Sequence, residues 1–112
     1  MFELINEIQD TYEELRETVN SLMEKGRTKA KAEQEYRVIL QQESLRLKTE
    51  GMGVTLIDKV VYGINKVAEA RFKRDVAVTM YDNTIERINM LKLRLRILDE
   101  QANREWNSGQ KQ

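Results

Sequence analysis

From Met1 to Leu22 the apolar residues fall at alternating steps of four and three: Met1, Ile5, Ile8, Tyr12, Leu15, Val19, Leu22. That spacing holds one stripe on one side of a helix for six turns, and it has no counterpart in a strand, where the period is two. The stripe is widened by Phe2, Leu4 and Met23. Nothing downstream opposes a helical reading. The 112 residues contain no proline and only five glycines. About half of the residues are Ala, Leu, Glu, Lys, Arg or Gln, types that lose little side-chain freedom in a helix. The expected fold class is all-α: a long antiparallel helical hairpin or helix bundle with a short helix at its tip.

The helix boundaries follow from the breakers. A first helix is expected over about 3–25, ending or kinking at Gly26. A second covers about 28–48, with Ala32, Tyr36, Ile39, Leu40 and Leu47 on its buried side. Thr49-Glu50-Gly51-Met52-Gly53 is the clearest loop. Thr55 followed by Asp58 resembles a capping box and opens a short helix over about 55–62, which Gly63 closes in a left-handed conformation. Asn65 suits the cap of a last helix over about 66–106. Residues 1–106 thus form one helical domain, followed by a disordered polar tail over 107–112.

Charge is balanced overall but unevenly placed. Residues 1–24 hold seven acids and one base, whereas residues 25–48 and 71–96 each hold seven bases and three acids. Folding back at the loop brings Leu40 near Arg74, and the acidic first helix near Lys92, Arg94, Arg96 and Arg104. The last helix carries two seams, one of Ile88, Leu91, Leu95, Leu98 and Ala102 and a second of Met90, Leu93 and Ile97. One partner helix covers one seam, so Ile88, Met90, Leu91, Leu93, Leu95, Ile97 and Leu98 are the candidate oligomer or partner interface, and a homodimer is favoured over a monomeric bundle.

The chain has neither cysteine nor histidine. That removes thiolate and imidazole chemistry, and with it zinc-thiolate sites, disulfides and the usual general base. The acids of the first helix lack the histidine that accompanies carboxylate metal sites in helix bundles. Gly51-Met52-Gly53 lacks the lysine and preceding strand of a phosphate loop. No catalytic, cofactor or metal residue is assigned, and a non-enzyme is expected. No apolar run reaches the roughly 18 residues of a membrane span, and the acidic N-terminus is unlike a signal peptide; a cytoplasmic protein that makes no membrane contact is expected.

Two polar clusters carry alternatives. Read backwards from Ile88, the core stripe runs Ile85, Tyr81, Val78, Arg74, Arg71, Val67, which sets two arginines on the core side, while Glu43 interrupts the facing stripe. A Glu43–Arg71 or Glu43–Arg74 ion pair would fix helix register; the competing role is contact with an acidic partner or phosphate. Arg27, Lys29 and Lys31 form a basic patch able to meet nucleic-acid phosphates, without any recognition motif beside it. A third function class is an acidic decoy, the first helix imitating nucleic-acid charge. The four tyrosines are too dispersed for base stacking, and Trp106 is read as capping the bundle.

Several segments together carry a resemblance: Glu35-Tyr36-Arg37, a glycine loop before Thr55-Leu56-Ile57, Gly63, Ala70-Arg71-Phe72-Lys73-Arg74-Asp75, Leu91-Lys92-Leu93-Arg94 and Arg104-Glu105-Trp106. Over residues 35–106 the chain resembles small, largely uncharacterised all-helical proteins from the early regions of phages and prophages of Gram-positive bacteria. The resemblance implies a protein made in the host cytoplasm, often encoded near genes for DNA recombination or replication. It supplies no catalytic residue and no ligand. The expected function is self-association together with binding of a protein of phage DNA metabolism or a host factor.

Overall fold

A computed structural model describes residues 1–110. It is all-α: α1 spans Phe2–Thr49, α2 Val54–Val60 and α3 Asn65–Gln110, with a 3-10 turn at Val61–Gly63 between α2 and α3. By internal contacts the chain divides into two compact units, one of Met1–Met23 with Asp82–Gln112, the other of Glu24–Tyr81. In each, a stretch of α1 packs against a stretch of α3.

In the unit of residues 24–81 the core is Tyr36, Leu47, Ile57, Val61, Val67 and Ala70, with Ile39, Leu40, Met52 and Ile64 packed around it. Val61 and Val67 are completely enclosed. Seven residues are too few for α2 to hold as an isolated helix. It persists because Ile57 and then Val61 insert between the two long helices. Ala32, Ala70 and Ala77 are also buried, small side chains that let the helices approach closely.

The end of α1 is a glycine-terminated cap. Gly51 N–H donates to Lys48 O at 3.0 Å and Met52 N–H to Leu47 O at 3.1 Å, the paired bonds of a Schellman motif. Gly51 sits at φ 94°, the only positive φ among the described residues. A Cβ there would meet nothing within 4 Å, so only the backbone conformation demands glycine. Gly51→Ala is therefore expected to lower stability by about 1–2 kcal/mol, read from urea unfolding, with Gly51→Asn costing less.

Several expected boundaries are corrected. Gly63 does not have a positive φ; the left-handed closing position belongs to Gly51. The residue before α2 is Gly53, with no side-chain cap, so Thr55 does not form a capping box. Ile64, in extended conformation, precedes α3 and accepts from Ala68 N–H at 2.9 Å, which makes Asn65 the first helical residue rather than the cap. Residues 107–110 of the expected disordered tail continue α3, and 111–112 lie outside the described residues.

The largest correction is at Gly26, where no break occurs: the helices expected over 3–25 and 28–48 are one helix. A lone glycine amid strong helix formers costs about 1 kcal/mol relative to alanine, too little to stop a helix held by packing on both sides. A Cβ at Gly26 would lie 3.5 Å from Tyr81 Cε2, ordinary contact. Gly26→Ala is expected to raise stability by about 0.5–1 kcal/mol; a lower thermal midpoint in calorimetry would show that the position needs glycine.

Candidate interaction surfaces

In the unit of residues 1–23 with 82–110, α3 buries Ile88, Leu91 and Leu98 and half-buries Leu95 and Ala102. Facing them, α1 offers Leu4 and Thr11, both buried, with Ile8, Leu15, Thr18 and Leu22 half-buried. This stripe is rotated from the one the four–three spacing picks out. Ile8, Leu15 and Leu22 belong to both, but Met1, Ile5, Tyr12 and Val19 are left 44–57% exposed. They line the flank of α1, and at their centre Ile8, Gln9, Tyr12 and Glu13 form a groove with Leu95 and Asp99 of α3. On the other side of the seam, Glu3, Leu4 and Glu7 meet Gln101 and Glu105, and Arg87 donates to Glu14.

The candidate interface residues of α3 therefore separate. Ile88, Leu91 and Leu98 are occupied within their own chain. Met90, Leu93 and Ile97 are exposed and line, with Arg94 and Leu98, an apolar depression on the outer face of α3. Their spacing puts them roughly opposite Leu91, away from α1. The acidic N-terminal stretch of α1 does run beside residues 82–110, but its ion pairs there are Glu14–Arg87, and the N-terminal ammonium pairs with Glu105. Lys92, Arg94, Arg96 and Arg104 make no ion pair among the described residues. Trp106, expected to cap a bundle, is 61% exposed.

In the unit of residues 24–81, the expected register pair is not formed. Glu43 is buried but accepts from Arg46 Nε at 2.7 Å, one turn along the same helix, and Arg46 also reaches Glu50 at 2.9 Å. A local partner was available at lower ordering cost than one across the helix pair. These carboxylates hold the Arg46 guanidinium above its ordinary pKa, the hydrogen bond it donates to Glu43 contributing most. Arg71 is exposed, its guanidinium 5.9 Å from the Tyr62 ring centre. Arg74 is the arginine that crosses between helices. It lies over the Tyr36 ring at 4.5 Å, reaches Glu33 at 3.6 Å and bonds Asp75 at 2.9 Å. Lys73 joins it with a bond to Glu35 at 3.1 Å. Glu33 is held below the usual carboxylate range, first by its hydrogen bond from Arg37 and also by Arg74.

The basic patch also divides. Lys29 lies over the Tyr81 ring at 4.5 Å. Arg27 and Lys31 instead line a depression of about 430 Å³ with Lys73, Glu24 and Glu35. Lys73, distant in sequence, could not be assigned to that patch from local spacing. No group of three Asp or Glu side chains among the described residues is placed to hold a metal ion, and no described helix is long and apolar enough to cross a membrane.

No protein-family model, curated protein or solved structure matches the chain.

Proposed function

We propose that this chain is a non-enzymatic helical interaction protein that self-associates through the groove face of α1 and offers the outer face of α3 to a protein partner. The observation that carries this reading is the exposed row Met1, Ile5, Tyr12 and Val19. Four large apolar residues at heptad spacing form a continuous edge, the pattern by which helices recognise other helices. Two helices cover only part of so wide a stripe, whereas four cover it from all sides. The resemblance over residues 35–106 supports a phage early-region protein acting in the host cytoplasm, its partner belonging to phage DNA metabolism or being a host factor. Light scattering of the purified chain from low to high micromolar concentration tests the self-association. Twice the chain mass is expected, and a monomer throughout that range removes the reading.

A second reading, accessory nucleic-acid binding, is favoured by the convergence of Arg27, Lys31 and Lys73 on one depression. It requires an affinity for duplex DNA that falls steeply with salt and weakens on replacement of Arg27 and Lys31 by Gln.

A further inference from the structure

Beside the groove, on α3, stands one exposed cation. Along α3 the row beside the groove runs Ile85, Ile88, Lys92, Leu95, Asp99 in steps of three and four. Ile88 is buried and Leu95 half-buried, while Lys92 is exposed and without an ion-pair partner among the described residues. A lysine set between apolar residues, here Ile85 and Ile88 on one side and Leu95 on the other, is a known means of fixing register and partner number in helical assemblies, at some cost in stability. On docking, an acid at the same level of a partner would meet its charge. On the rim of the same groove stands Glu13, engaged only by the exposed Arg16 on its own helix.

Two twofold arrangements would cover the groove. In one, α1 lies across the partner's α1; in the other, across the partner's α3. Charge decides between them. Residues 1–24 carry seven acids and one base, so α1 on α1 sets like charges together. Residues 87–98 of α3 carry Arg87, Lys92, Arg94 and Arg96 and no acid, which makes α3 the complementary surface. A twofold axis parallel to the helices keeps each residue at its own level. Within one chain Tyr12 and Glu13 stand level with Leu95 and Asp99 across the groove, and Lys92 is one turn from Leu95.

We infer that the partner in this groove is a second copy of the chain, related by a twofold axis along the helices, with Lys92 of each copy paired to the other copy's Glu13. This rests on the self-association proposed above and adds its geometry and specificity residues. The pairing is isologous and is made twice per dimer. Tyr12 of each copy then covers the Ile88–Leu95 stretch of the other, and Lys92 selects this arrangement over α1 on α1.

A charge swap tests it by sedimentation equilibrium. Glu13→Lys and Lys92→Glu, each alone, should weaken dimerisation about tenfold or more, because each sets like charges together at two symmetric sites. The double variant should recover most of the wild-type affinity. Lys92→Leu should associate more tightly and yield species larger than the dimer, as expected when a register-fixing polar residue is lost. A wild-type chain that is monomeric overturns both this inference and the reading beneath it. A wild-type dimer whose affinity is unchanged by the single swaps, or not restored by the double, overturns the pairing alone and leaves self-association standing.

Discussion

Leu47→Ala should destabilise the unit of residues 24–81 by about 2–5 kcal/mol, a large share of what a domain this size possesses. Leu47 is buried in the cluster with Tyr36, Ile57, Val61, Val67 and Ala70. Two consequences of its loss add. The first is the transfer and cavity term common to any buried leucine, large here because the cavity borders fully enclosed Val61 and Val67, which have little room to relax. The second is specific to the site. Leu47 O accepts the long bond of the helix cap from Met52 N–H, and Met52 packs against the cluster that contains Leu47. The apolar contact that closes the cap weakens with the side chain. Urea unfolding followed by circular dichroism should show the midpoint fall sharply, with α2 losing amide protection first because Ile57 and Val61 are its anchorage. A midpoint within experimental error of the wild type would mean that this cluster is not the core.

The second large effect concerns association. Ile5→Glu with Tyr12→Glu should weaken dimerisation by at least about 100-fold. Both side chains are roughly half exposed in the single chain, so each has of order 1 kcal/mol of apolar burial still to gain on docking. Replacing each with a carboxylate forfeits that gain and adds the desolvation of a charge against an apolar surface. Because the interface is isologous, both losses occur twice per dimer. Neither residue belongs to the buried seam, so the monomer should keep its helicity and its thermal midpoint extrapolated to low concentration. A collapse of helicity would place these residues in the fold instead.

The helical class was legible in the sequence because it rests on summed preferences: no proline, few glycines and apolar periodicity over long stretches all agree. The position of α2 and the tight connection before it were legible from Gly51 and Gly53 for the same reason. What failed were choices between near-equivalent alternatives. On α1, Ile8, Leu15 and Leu22 belong to two overlapping stripes. Buried Thr11 disguised the inward one, while Tyr12 and Val19 made the outward one look like the seam. Glu43 interrupts an apolar stripe whether its partner is across the helix pair or one turn away, and sequence spacing cannot choose Arg46 over Arg74. Gly26 reads as a break in isolation, but its neighbours Lys25 and Arg27 sit in a helix that packing sustains on both sides. The depression lined by Arg27, Lys31 and Lys73 joins residues more than forty positions apart, a juxtaposition that only the folded chain supplies.

The central claim is that the α1 row, and not the outer face of α3, joins two copies of the chain. Equilibrium sedimentation of two double variants side by side tests it most directly: Ile5→Glu with Tyr12→Glu, and Leu93→Glu with Ile97→Glu. The first pair should sediment as a monomer and the second as a dimer with wild-type affinity. A dimer from the first pair and a monomer from the second would contradict the account and assign the interface to Met90, Leu93 and Ile97.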